Sequence, residues 1–386
     1  MPNMKNRPLI MTPGPTEVAE NVRLARAKAT TNPDIDAEFY DFYKATCSKF
    51  AQFLKTKNDV RILAGEGILG LEAAVASLTE VGDRVLVLDN GIFGRGFADF
   101  VKIYGGTPVL LSSSKTQAFN LELLSDFLEK DHDFKYATVV HCDTPSGVLN
   151  DLEHICPLLK KYDILTVVDS VAAMGGEPLE TDAWQIDIVC GGSQKVLSAP
   201  PGLTFLAIST AAYQAMQSRK TPIASFYCNL LVFKDYYEQQ WFPYTMPISD
   251  IYGLAQAIDN LLADTEILAR HAAIAQATRK TVEQAGLQLY LESGFSNTVT
   301  VIKVPEKLSD KTILSEMLEH YNVMMTGSFD ELAGKVLRIG HMGENARPDK
   351  VATTLFALQK SLEHLGMQLQ EQMAEYFLAQ FKNEGC

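Results

Sequence analysis

The sequence predicts an α/β protein, with a mostly parallel central sheet covered by helices and a smaller C-terminal α+β domain. Three observations carry that expectation. Short apolar runs alternate with helical patterns from about residue 59 to 209. A single long helical pattern follows over 249–285. After Gly286 the pattern changes to a shorter series of strands and helices.

Taken in order, VRIL at 60–63 precedes a helix from Gly67, and RVLVL at 84–88 precedes one near Phe93–Tyr104. TPVLL (107–111), ATVVHC (137–142), ILTVVD (164–169), IDIVC (186–190) and LTFLAI (203–208) follow, separated by helical or loop segments. Runs apolar on both faces belong to strands covered on both sides. Such sheets take ligands beyond the carboxyl ends of their strands, so chemistry is sought just after these runs. Ser249 is the expected N-cap of one long connecting helix, in which Ile251, Leu254, Ile258, Leu261 and Leu262 keep helical spacing. Then come a strand near Thr298–Val304, a helix near Lys311–Tyr321, the strand VLRIG (336–340) and a helix Pro348–Leu365. Beyond Met367 the chain reads as a polar helix.

The length of 386 residues suits two domains, or one large domain with an appendage. The expected division is a large domain over 16–250, a connecting helix over 251–285 and a small domain over 286–386. Hydrophobic residues at 47% and charged residues at 21% describe ordinary globular usage, which rules out disorder of the whole chain. The net charge of −13 repels phosphate backbones and anionic lipids, so nucleic acid and membrane surfaces are not expected partners. No apolar run reaches the roughly 18 residues of a membrane span, and the N-terminus lacks the apolar core of a signal peptide. Six scattered cysteines without CxxC spacing read as free thiols of a cytoplasmic protein, and no metal site is expected.

Five features bear on chemistry. Asp169-Ser170 ends ILTVVD, where a carboxylate either faces a ligand or caps a helix. Gly191-Gly192-Ser193-Gln194-Lys195 follows IDIVC and places an amine near the sheet's ligand face. Lysine forms Schiff bases once its pKa is lowered. Pyridoxal phosphate (PLP) needs such a lysine for its aldehyde and an acid for its ring nitrogen. Asp169 and Lys195, 26 residues apart at the ends of successive strand-like runs, have the spacing of two groups facing one flat cofactor. Ala64-Gly65-Glu66-Gly67, between VRIL and a helix, offers backbone N–H groups to a phosphate or simply makes a tight turn. Phe93 stacks on a flat ring or packs in the core. Arg338, between apolar strand residues, clamps a carboxylate or pairs structurally.

TPGP (12–15), the GxG turn, HCDTPSGVLN (141–150), VVDSVAAMGG (167–176), GGSQKVLSAPPG (191–202) and KVLRIGHMG (335–343) resemble the class V PLP-dependent aminotransferases. The branch most similar is that of alanine–glyoxylate and serine–pyruvate aminotransferases. The resemblance runs from about Thr12 to about Leu365 and implies PLP-transferase fold type I. It implies that Lys195 holds the cofactor as an aldimine and then moves a proton between the substrate Cα and the cofactor C4′. Asp169 would pair with the ring nitrogen. Phe93 stands where the family commonly has a stacking Trp, and Thr144 or Ser146 would bond the ring hydroxyl region. Gly65, Glu66, Gly67, Ile68, Val171 and Gln194 would surround the cofactor, with Gly67, Ile68 and Gln194 on its phosphate. Arg338 would clamp the substrate carboxylate. Thr245, in WFPYTMP, would reach the phosphate of a neighbouring subunit, which implies a homodimer with shared sites. The N-terminal segment 1–15 would lie near the active site.

Two residues depart from that pattern. Glu66 stands where relatives have a small, often hydroxyl, residue. Its carboxylate facing a phosphate at about 4 Å would add roughly 4 kcal/mol of repulsion at an effective dielectric of 20. Phe242 replaces a Tyr that relatives use on the phosphate. Both resemble pyridoxamine–pyruvate aminotransferase, a branch whose substrate is the phosphate-free vitamer, and GxFGxGF, HxDTPSG and RIGHMG resemble it too. Against it, Gln194 is kept, and a second Arg of that branch is Phe329 here. The expected activity is amino transfer between a small amino acid and glyoxylate or pyruvate, with the pyridoxamine reaction as the alternative. The full set of expected catalytic residue types argues against a catalytically silent binding relative. No cysteine sits in an evident active-site loop, which argues against a desulfurase.

Overall fold

The computed structural model describes residues 7–383, so residues 1–6 of the expected N-terminal segment and the last three of the expected small domain lie outside the described residues. Seven strands build the central sheet: β1 (Asp59–Ala64), β2 (Arg84–Asp89), β3 (Thr107–Ser112), β4 (Tyr136–Val140), β5 (Leu165–Asp169), β6 (Ile188–Gly192) and β7 (Leu203–Ile208). Their spatial order is β1-β7-β6-β5-β4-β2-β3. Strands β2 to β6 pair in parallel, and β7 runs antiparallel to both β1 and β6. Every residue of β4 and β7 is buried, which is why these runs carry Val, Leu, Ile and Ala on both faces rather than alternating.

Register sets the site. Asp169 of β5 lies beside Val140 on one side and Cys190 on the other. Leu203 and Thr204, at the start of β7, lie beside Ala64 and Gly192. Because β7 is antiparallel, its start coincides with the carboxyl ends of β1 and β6. The turns after Ala64 and after Gly192 therefore leave the sheet at the same edge.

The expected long helix is two. Helix Ile248–Ala263 ends at Asp264 (φ −95°, ψ 88°), and helix Ile267–Gln284 begins after Glu266. The Asp264 carboxylate accepts from Glu266 N at 3.3 Å and pairs with Arg270 at 2.5 Å, a local bond that competes with helix continuation. The first helix buries Ile251, Leu254 and Ile258 in the core of the large sheet; the second buries Ile274, Ala277 and Val282 in a separate core. Ser249 is not the N-cap: the helix starts at Ile248 behind Pro247 and has no side-chain cap.

Helix Ala37–Phe53 had no counterpart in the expected elements. Its Asp36 caps Glu38 N at 3.0 Å, and Phe39, Tyr40, Tyr43 and Phe50 form its buried stripe. The last helix, Met373–Asn383, docks through Met373 and Phe377, both fully buried against the second core. In that smaller unit Thr300–Lys303 pairs antiparallel with Val336–Ile339, which puts Arg338 opposite Val301. The two-residue ladder of Leu9–Ile10 with Val323–Met324 ties the N-terminal segment to the same unit.

Candidate active site

The end of β6 feeds a turn fixed by main-chain bonds: Ser193 N to Leu203 O at 3.0 Å and Ala199 N to Ser193 O at 3.0 Å. Lys195 leaves this turn with its amine enclosed, donating to Pro13 O at 2.6 Å. The N-terminal segment is held over it by Thr16 N to Gln194 O at 3.0 Å and Thr16 Oγ1 to Lys195 O at 2.9 Å. Gly14, at φ +100°, lies against the lysine stem; a Cβ there would fall 2.4 Å from Lys195 Cδ. Burial, and then the charge of Arg338, lowers the Lys195 amine to about 8.

Asp169 ends β5 and is buried. Its Oδ1 accepts from Val171 N at 2.9 Å. Burial raises its carboxyl to about 7, with the Val171 N–H and the Lys195 charge working against the rise and the charges of Asp143 and Glu66 adding to it. Asp169 and Lys195 line one cavity of about 120 Å³, together with Phe93, Thr144, Val171 and Ala172. Glu66, Gly67, Ile68 and Gln194 close its other end, and Leu71 and Cys142 complete it.

At that end Glu66 is the N-cap of helix Gly67–Leu78. Its Oε1 accepts from Ile68 N and its Oε2 from the Gln194 amide, each at 3.0 Å. The carboxylate thus sits on two of the donors expected to serve a phosphate. Gln194 Oε1 is buried and has no hydrogen-bond partner among the described residues.

Arg338 is buried in its strand. Its Nε donates to Gly327 O at 2.6 Å and its Nη1 to Thr144 O at 3.3 Å. Burial lowers the guanidinium to about 10, opposed by the charge of Asp143. Asp143 is the residue that sequence reasoning missed. It accepts from Phe93 N at 2.9 Å and from Ser146 Oγ at 2.6 Å, and so fixes the aromatic wall. Gly91 permits this approach, since a Cβ there would lie 2.3 Å from Asp143 Cγ. The segment HCDTPSG carried Asp143 in plain view; only its fold-back onto Phe93 reveals the role.

Nine expected residues therefore meet at the cavity: Glu66, Gly67, Ile68, Phe93, Thr144, Asp169, Val171, Gln194 and Lys195. Four stand off it. Gly65 lies in the turn outside the lining, and Ser146 spends its hydroxyl on Asp143, which leaves Thr144 as the hydroxyl on the cavity. Arg338 reaches the rim through Thr144. Thr245 is exposed and donates to Asp34 at 3.0 Å. Phe242 is buried in an aromatic cluster, stacked on Tyr40 at 4.6 Å and 6°, and does not line this cavity.

The ring end of the cavity fits a pyridoxal ring, with an enclosed amine for the aldehyde, a buried carboxyl for the ring nitrogen and apolar side chains between. The other end supplies phosphate donors, Ile68 N and the Gln194 amide, once Glu66 releases them. The comparisons agree. The family model "Aminotransferase class-V" matches residues 15–329. The pyridoxamine–pyruvate transaminase of Mesorhizobium japonicum is 32% identical over 370 residues, covering 94% of this chain and 93% of its own. The alanine–glyoxylate aminotransferase of Callithrix jacchus is 30% identical, covering 92% of this chain and 88% of its own. The crystal structure of the ureidoglycine–glyoxylate aminotransferase of Bacillus subtilis superposes with a TM-score of 0.95 at 27% identity, covering 99% of this chain and all of that one. With a family model spanning most of the sequence, and with the lysine and aspartate that PLP chemistry needs on one cavity, the chain belongs to the class V aminotransferases, a PLP-dependent family of the type I fold.

Proposed function

We propose that the protein exchanges an amino group between a small amino acid, of alanine or serine type, and a 2-oxo acid such as glyoxylate or pyruvate. The observation that carries this reading is the shared cavity of Lys195 and Asp169 with Arg338 at its rim. Bound PLP supplies an aldehyde for the amino group and an electron-accepting ring. Asp169 would hold the proton on the ring nitrogen. Lys195, whose amine burial lowers to about 8, would hold the cofactor's aldehyde and, once released, would move the proton between the substrate Cα and the cofactor C4′. Arg338 binds the substrate carboxylate. Pro13 and Gly14 cover the amine and keep water off it. Alanine–glyoxylate exchange, and an absorbance band near ~420 nm on adding PLP, should both vanish in Lys195→Ala. Wild-type protein that shows no band at saturating PLP would sink this reading.

A second reading, use of the free vitamer pyridoxamine with pyruvate, is favoured by one observation. The far end of the cavity presents acceptors, the Glu66 carboxylate and the unpartnered Gln194 Oε1. A hydroxymethyl donor suits acceptors better than a phosphate does. The similarity to a pyridoxamine–pyruvate transaminase supports it. Turnover of pyridoxamine plus pyruvate far below that of alanine plus glyoxylate rejects it.

We also propose a cytoplasmic homodimer in which Thr245 serves the partner's site. Thr245 lies off its own cavity, and Ile35, Phe226, Tyr227 and Trp241 leave apolar surface exposed. The five described cysteines are buried thiols, which suits a reducing compartment. Light scattering at micromolar concentration tests the assembly; a monomer with full activity overturns it.

A further inference from the structure

We infer that Phe329 is a specificity-determining residue, an apolar wall that restricts the substrates to monocarboxylates with neutral side chains. The inference rests on the transaminase reading above and adds a substrate class to it.

The Phe329 ring meets the ring of Phe93, which lines the cavity, edge to face at 6.0 Å and 72°. The same ring lies 5.9 Å from Arg338 Cζ. It is 45% exposed, so it lies at the surface rather than in the core. The segment that carries it is tied down on both sides. Arg338 N donates to Thr326 O at 2.8 Å and Arg338 Nε to Gly327 O at 2.6 Å. Ser328 Oγ donates to Pro145 O at 3.5 Å, and Lys115 pairs with Glu331 at 2.5 Å. Phe329 is thus held across the two units and its position is set.

Charge points the same way. The groups around the cavity are the acids Glu66, Asp143 and Asp169 against the cations Lys195 and Arg338. Arg338 has no acidic partner within ion-pair distance among the described residues, so it is available to one carboxylate. Lys115, the lysine that reaches this segment, is already taken by Glu331. A substrate whose first carboxylate sits on Arg338 would press a second one against a phenyl ring, among acids, with no further cation of this subunit to receive it. A carboxylate that gives up part of its water to a phenyl ring, with no cation to replace it, is disfavoured. A methyl or hydroxymethyl side chain meets the same wall without that penalty.

The test is the ratio of kcat/KM for alanine to that for aspartate, with glyoxylate as acceptor. Wild type should favour alanine by about 100-fold or more, since rejection of a charge exceeds the discrimination of a methylene. Phe329→Arg should cut that ratio by about tenfold or more, and Phe329→Leu, still apolar, should keep it within about threefold. A wild-type ratio near one, or a folded Phe329→Arg with the wild-type ratio, overturns the inference. If Phe329→Arg does not fold, calorimetry on the PLP-loaded wild type decides: propionate should bind about tenfold tighter than succinate, and equal or tighter succinate overturns the wall. The calorimetry also separates the two claims. A protein that turns over neither donor loses the transaminase reading, while the propionate–succinate comparison still judges Phe329.

Discussion

The Glu66 carboxylate and the Gln194 amide, 128 residues apart in the chain, share a hydrogen bond of 3.0 Å across the end of the cavity. The same carboxylate accepts from Ile68 N, so an acid of the protein satisfies the N-terminus of helix Gly67–Leu78. A phosphate arriving there must displace it.

Glu66→Ser should therefore strengthen PLP binding. Serine remains a good N-cap, so the helix start survives. The repulsion removed is at most about 4 kcal/mol. Spectroscopic titration should show affinity for PLP rising by roughly 10- to 1000-fold and use of free pyridoxamine falling. An unchanged dissociation constant would mean that the carboxylate leaves without cost.

Asp169 makes the cofactor-free protein sensitive to pH. Its folded carboxyl, raised to about 7, binds a proton that the unfolded chain releases near 4, so stability is fully present at low pH and is lost as pH rises between those values. Asp169→Asn carries no such charge. The cofactor-free variant should be more stable than wild type at pH 8 by roughly 2–4 kcal/mol, with the gap closing towards pH 5. Urea midpoints at both pH values measure this, and a variant weaker than wild type at pH 8 contradicts it. Transamination should drop about 100-fold or more, because an amide cannot hold the ring proton.

Arg338 tunes Lys195. Burial is the larger cause of the lowered amine and the guanidinium charge the next. The rate of PLP capture should climb as pH rises through about 8, where the amine becomes neutral. In Arg338→Gln the midpoint should move to higher pH. Coincident profiles for the two proteins would show that the guanidinium charge does not reach the amine.

Gly14→Ala tests the cover over the lysine. The new Cβ would lie 2.4 Å from Lys195 Cδ, at a φ of +100° that L-residues avoid. The segment has to lift, breaking the bond from Lys195 to Pro13 O. A kcat about 10- to 100-fold lower is expected, with a stability loss of only about 1–3 kcal/mol. Undiminished kcat would show that the segment is not needed over the amine.

The alternation of apolar runs, the Asp at the end of one and the Lys after the next were legible in the chain, because a strand buried on both faces and a turn beyond it are local facts. Resemblance in the HCDTPSG and GGSQK segments then attached roles to Thr144, Gln194 and Lys195. What stayed hidden depends on residues far apart in sequence. The antiparallel direction of β7 brings the turn after Ala64 to the turn after Gly192, and no period in either segment encodes that meeting. The packing of Phe242 on Tyr40 and Tyr43, the fold-back of Asp143 onto Phe93 and the break at Asp264 belong to the same class. Periodicity reports which face of an element is buried. Which elements face each other, and so whether Glu66 meets an amide or solvent, is decided only when strand order and register close the sheet.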